Sequence, residues 1–170
     1  QILEGVSRSF ALTIPQLPQQ LRKVVTNAYL LCRIVDTIED EAGLSIDQKR
    51  YFFGQIIDVI NKQVPAQTFA AELHPLLGLT TIPAERHLIE QSPRVLQTYF
   101  SLTPNQQAIL KKCLEVMSSG MLKFQEMKSP DGLADFYQME NYCYYVAGVV
   151  GKMLTELFCD YSTEIAEKKD

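Results

Sequence analysis

The sequence predicts an all-α protein, an antiparallel helical bundle forming a single domain over residues 1–170. Three observations carry this. Apolar residues recur at three- and four-residue spacing through long stretches, the period of a helix with one buried face. Helix-opening signals recur at the heads of those stretches. Gly and Pro fall between them, and strand-like alternation is weak throughout.

The first long helix is expected over 18–40, stopping before Gly43. Ser45 and Gln48 have capping-box spacing and open a helix through Ile60. The stretch 62–83 is broken by Pro65, Pro75, Gly78 and Pro83 and leaves room for a short helix over 69–77. Ser92-Pro93 and Thr103-Pro104 each read as an N-cap followed by Pro at the first helical position. Thr103 and Gln106 add a second capping box, predicting a helix over 104–127. Ser129-Pro130-Asp131-Gly132 reads as a turn, and a last long helix follows over 133–159.

With 170 residues, 46% of them hydrophobic, the chain can bury a core without disulfides or a structural metal. A net charge of −4 without long charge runs excludes the basic stripe of a nucleic-acid binder. Cys32, Cys113, Cys143 and Cys159 form no C-x-x-C pair and lie in apolar helical patterns. They are expected to be reduced core residues, which fits a cytoplasmic setting. His74 and His87 share no helical face with a cysteine, which argues against zinc. No apolar run approaches the roughly 20 residues of a membrane span, and Arg8 interrupts any signal-like stretch. A chain opening on Gln1 and closing soon after a helix is expected to be part of a longer protein.

At 100° per residue, Arg22, Tyr29, Arg33, Asp36 and Asp40 fall within roughly 60° of one another on the first helix, opposite Leu31, Ile34, Val35 and Ile38. Such a stripe is ordinarily the wet side of an amphipathic helix. Two like charges at i, i+4 near a helix C-terminus oppose both each other and the helix dipole, however. A divalent cation reverses that sign, since Mg²⁺ takes one or two carboxylates and completes its shell with water and phosphate oxygens. Arg33 beside them suits a phosphate. Glu39 points about 100° away from Asp40 and about 60° from Asp36 by the same arithmetic. Tyr142, Tyr145 and Val149 share a face at i, i+3, i+7, which by itself is ordinary packing, as are Phe10 and Phe124.

Beyond spacing, Ser7-Arg8-Ser9-Phe10-Ala11, Tyr29-Leu30-Leu31-Cys32-Arg33 and Asp36-Thr37-Ile38-Glu39-Asp40 resemble successive signatures of the squalene/phytoene synthases. Met117-Ser118-Ser119-Gly120-Met121 resembles a later helix of that family, and Tyr142-Cys143-Tyr144-Tyr145-Val146-Ala147-Gly148-Val149-Val150-Gly151 resembles the Y-C-x-Y-V-A-G-x-V-G segment of its squalene branch. The resemblance implies an isoprenoid synthase fold around an apolar cavity, of which residues 1–170 would be the N-terminal portion. It implies head-to-head condensation of two farnesyl diphosphates, with Mg²⁺ as cofactor and NADPH for reduction to squalene. Phytoene or dehydrosqualene synthesis is the alternative within the enzyme class, and a non-catalytic family relative acting as an assembly factor is the alternative from another class.

Carried over by position, Asp36 and Asp40 would be Mg²⁺ ligands, with Glu39 completing the D-x-x-E-D pattern. Ser7, Arg8, Tyr29 and Arg33 would contact diphosphate. Phe10, Met117, Gly120, Met121 and Val146 would line the substrate, and Tyr142 would handle a proton in the condensation. Phe124 and Tyr145 would add aromatic walls for a carbocation. The family's second aspartate-rich motif has no match here, since only Asp160 and Asp170 follow the Tyr142 segment. The 170 residues alone are therefore expected to be inactive. Peripheral contact with a membrane surface is left open.

Overall fold

A computed structural model describes residues 2–7, 9–127 and 132–168. Among them there is no strand. The central element is α3 (Gln19–Asp40), 22 residues long. Every third or fourth position of its inner face is apolar, and Leu31, Ile34, Val35 and Ile38 lose all solvent contact. Each such side chain contributes roughly 1.5–3 kcal/mol of transfer free energy.

Around α3 pack α4 (Ile46–Ile60), α6 (Pro83–Glu90), α7 (Ser92–Phe100), α8 (Pro104–Glu126) and α10 (Val149–Tyr161). The short helices α1 (Ile2–Val6) and α2 (Phe10–Thr13) lead into the bundle, and α1 rests on α6. Helix α5 (Ala66–Leu73) precedes a 3₁₀ turn, His74–Leu76. Helix α9 (Phe136–Cys143) passes through a π-turn, Tyr144–Gly148, into α10, and α11 (Thr163–Glu167) follows.

Both capping boxes form. The Ser45 and Thr103 hydroxyls accept from the backbone N–H of Gln48 and Gln106, whose side chains accept in return. Other expectations are corrected. Ser92 lies inside α7, which Gln91 precedes, and its buried hydroxyl has no partner. The short helix opens three residues earlier than expected, at Ala66, because Pro65 fixes the extended conformation that precedes a first turn. The final helix starts at Phe136, capped by Asp135, and is interrupted by the π-turn, so regular spacing cannot place Tyr142, Tyr145 and Val149 on one face. Cys32 and Cys113 are buried as expected, but Cys143 is exposed and Cys159 only half-buried, because α9 and α10 keep an open side. Of the turn at 129–132, residues 129–131 lie outside the described residues, and Gly132 adopts the left-handed φ of +82°.

The loop following the 3₁₀ turn is tied to the end of α3 by one carboxylate. Glu41 accepts from the backbone N–H of Gly43 and Gly78, each at 2.8 Å, and from the Thr81 hydroxyl. Burial works against its charge, but these donors and Arg86 outweigh it and hold the carboxyl below its ordinary range. A Cβ on Gly43 or Gly78 would stand 3.0 Å from the Glu41 Oε1, so either would make the carboxylate shift.

Candidate active site

The last three turns of α3 carry the acidic group. Asp36 lies one turn, about 6 Å of helix rise, before Asp40. The Asp36 side chain keeps 30% of its surface, and Asp40 is exposed. Burial pushes the Asp36 carboxyl up to about 7, Arg33 opposes the shift, and the charges of Asp40 and Glu39 add to it. The helix thus holds more negative charge at this spot than its own residues neutralise.

Arg33 is committed on both sides. Its Nη2 pairs with Glu85 of α6, and its Nη1 stands 3.6 Å from Asp36. The Nε is buried without a partner. Glu39, one position from Asp40, is buried instead of solvated. Gln125 of α8 donates to its side chain at 3.4 Å, the buried Lys49 of α4 donates to its backbone carbonyl, and the Tyr142 phenol lies near enough to its carboxylate for each to shift the other. Burial raises the Glu39 carboxyl above its ordinary range, with Asp40 adding to the shift. Tyr142 is raised as well, by desolvation first and then by Glu39, Asp40 and Asp36. A tyrosine from α9 and three carboxyls from α3 therefore share one electrostatic neighbourhood, although about 100 residues separate them in sequence.

Two aromatic groups flank this centre. Beside the first turns of the chain, the Tyr29 hydroxyl donates to the Val6 carbonyl at 3.0 Å, and its ring tilts against Phe10 at 5.3 Å. Phe10 is 52% exposed and not a core residue. Ser7 is buried, and its hydroxyl accepts from the Phe10 N–H at 3.0 Å, so it shapes the chain entering α2. Arg8 lies outside the described residues. On the other side, Phe124 of α8 meets Tyr142 edge-on at 5.3 Å and Tyr145 at 6.2 Å. Gly120 makes this possible, because a Cβ there would stand 2.5 Å from the Tyr145 Cβ and closer still to its ring.

Three of the expected substrate contacts lie in or against the core. Met117 and Met121 are each 1% exposed and belong to the core, because the face of α8 that carries them packs inward on the bundle. Val146 is half-buried against the same core. Sequence reasoning missed Glu85, Gln125 and Lys49. Lys49 was detectable, since it sits on the apolar stripe of α4 with Phe52, Phe53 and Ile56, where a lysine needs acceptors. Glu85 follows a helix-opening proline and looks like an ordinary first-turn acid. Gln125 carries no such signal.

Among the described residues, no group of three His, Cys, Asp or Glu side chains is arranged to hold a metal ion by itself. The donor set is a carboxylate pair with an excess of negative charge, which suits a hard divalent cation that draws its other ligands from water and phosphate. Nor is any described helix long and apolar enough to cross a membrane.

An all-α bundle presenting paired carboxylates, an arginine and a facing tyrosine has the form of a helical isoprenoid synthase, and comparisons with known proteins agree. Residues 3–169 match the squalene/phytoene synthase family, and the chain belongs to that family. It is 34% identical over 158 residues to squalene synthase BSS of Botryococcus braunii, covering 93% of this chain and 32% of that protein. It is 32% identical over 163 residues to squalene synthase ERG9 of Saccharomyces cerevisiae, covering 92% and 34%. A solved complex of TcSQS with the ligand BPH1237 superposes with a TM-score of 0.75 at 28% identity, covering 99% of this chain and 46% of that one. The chain spans about a third of the length of these curated relatives.

Proposed function

We propose that α3 is the diphosphate-binding half of a prenyltransferase site that joins two farnesyl diphosphates head to head, giving presqualene diphosphate and then squalene. The observation that carries this reading is the convergence of Tyr142 with Asp36, Glu39 and Asp40 beside Arg33. Asp36 and Asp40 would hold Mg²⁺, with Glu39 held behind them by Gln125. When bound, the ion supplies charge neutralisation for a departing diphosphate.

The chain's own groups do the rest. Arg33, oriented by Glu85, offers its guanidinium to phosphate oxygens. Burial and the neighbouring carboxylates favour the Tyr142 phenol over the phenolate, and it would exchange its proton with Glu39. The Phe124, Tyr142 and Tyr145 rings offer π-faces to a cationic alkyl chain and no competing nucleophile. NADPH enters only as the reductant of the squalene branch, and no residue is assigned to it. The Tyr142–Gly151 block and the squalene synthase relatives favour squalene over phytoene or dehydrosqualene. The 170 residues are proposed as the N-terminal portion of the synthase domain. With one carboxylate pair facing the site, they are expected to bind farnesyl diphosphate without turning it over.

Calorimetric titration of the chain with farnesyl diphosphate, with and without Mg²⁺, tests this. Binding should require Mg²⁺, and Asp36→Asn should weaken it at least about tenfold while thermal unfolding stays cooperative. Equal binding by Asp36→Asn, or binding indifferent to Mg²⁺, would overturn the assignment. Product formation by the chain alone would refute its expected inactivity.

A further inference from the structure

A second site lies away from the carboxylates, in an open groove of about 830 Å³ between the first half of α3 and α7. Three cationic side chains line it, Arg22 and Lys23 from α3 and Arg94 from α7. Among the described residues that line it, none is Asp or Glu, in a protein whose net charge is −4. The N-terminus of α3 opens onto the same space. Its N-cap is Pro18, with no side-chain cap, and Gln19 and Gln20 line the groove. The first backbone N–H groups of a 22-residue helix therefore add partial positive charge where the cations already stand.

A further observation concerns Asn27, which lines the groove and is 2% exposed. Its Nδ2 donates to the Val95 carbonyl at 2.8 Å, and this fixes the amide orientation. Its Oδ1 is then a buried acceptor with no partner. Buried acceptors are rarely left unmade. The cations cannot be what a ligand brings to them, and the acceptor cannot be what an anion wants. One ligand satisfying both must carry an anion and, close by, a hydroxyl. Ile2, Leu30 and Val95 offer carbon surface between the two.

We propose that this groove binds a phosphate ester of a polyol, with the phosphate at Arg22, Lys23 and Arg94 and a hydroxyl donating to the Asn27 Oδ1. The phosphate takes charge-assisted bonds from arginine N–H groups and the helix end. Arg22 is held in place by two N–H bonds to the Leu17 carbonyl, at 3.2 and 3.0 Å, which leaves its Nη1 for the ligand. Lys23 and Asp36 are 13 positions apart on one helix, or about 20 Å, so this site and the diphosphate site are separate. The ester is either a free sugar or polyol phosphate or the headgroup of an anionic phospholipid.

The test is titration of the whole chain with inositol 1-phosphate and with inorganic phosphate, together with sedimentation on phosphatidylcholine vesicles made with and without phosphatidylinositol. Binding of inositol 1-phosphate in solution supports the free ester, and recruitment only by phosphatidylinositol vesicles supports the headgroup. Lys23→Glu combined with Arg94→Glu changes two exposed residues, so the fold is retained, and should weaken binding at least about tenfold. Asn27→Leu should remove the preference for the ester over inorganic phosphate. Asp36→Asn should bind as the unaltered chain does, which separates this site from the diphosphate site whatever becomes of that reading. No binding in either arm, equal binding of inorganic phosphate, full binding by the Glu double variant, or loss in Asp36→Asn would each overturn the proposal.

Discussion

Replacing Gly120 by Ala tests how tightly the aromatic wall is set against α8. On helix propensity alone the change should stabilise, since Gly in a helix interior costs about 1 kcal/mol relative to Ala. The structure reverses the sign. The new Cβ would lie 2.5 Å from the Tyr145 Cβ and closer to the ring, whereas carbon atoms pack comfortably at about 3.5–4.0 Å. Rotating the ring does not relieve this, because the Tyr145 Cβ is fixed to its own backbone. The segment 144–148 would have to move away by about 1 Å. Overpacking of this kind costs about 1–3 kcal/mol, and loosening the Phe124–Tyr145 contact adds about 0.5–1.5. After the propensity gain, Gly120→Ala should be destabilised by roughly 1–3 kcal/mol in urea unfolding, with weakened near-UV circular dichroism. Tyr145→Gly in the same chain should recover more of that loss than Tyr145→Ala, because only glycine removes the struck Cβ along with the ring. A Gly120→Ala chain about 1 kcal/mol more stable, with aromatic signals unchanged, would refute the packing argument.

Two further substitutions probe the residues that hold the site. Glu85→Gln should destabilise the chain by about 1–3 kcal/mol, because half-buried Arg33 loses its charged partner, and an unchanged denaturation midpoint would show the pair to be idle. Glu41→Ala should cost about 2–4 kcal/mol and speed hydrogen exchange at the Gly43 and Gly78 amides, which lose their acceptor. Slow exchange at both amides after the change would mean that something else anchors the loop.

Much of the architecture was legible because it rests on local rules. The caps at Ser45 and Thr103 and the apolar face of α3 depend on neighbours within one or two turns, so spacing alone reveals them. The stripe of Tyr29, Arg33, Asp36 and Asp40 was readable for the same reason. What spacing could not show is what each member faces. Glu39 turns out to be held by Gln125, and Arg33 by Glu85, through partners 86 and 52 positions away. Ser92 misled because Ser-Pro is also compatible with a helix already begun. The family motif around Met117 and Met121 marks a helix without saying which of its side chains turn into the bundle, and both are buried.

The π-turn at Tyr144–Gly148 gives this last stretch of the chain two independent headings. Where the Val149 N–H reaches five residues back to Tyr144, the winding takes in one extra residue, which slips the helical phase by about 100°. Downstream, Val149, Met153 and Leu157 stay locked in the hydrophobic interior. Upstream, Tyr142 is steered onto the carboxylates of α3. A straight helix would have forced one heading on both ends. The slip lets the Tyr142 phenol be aimed without repacking what holds the helix.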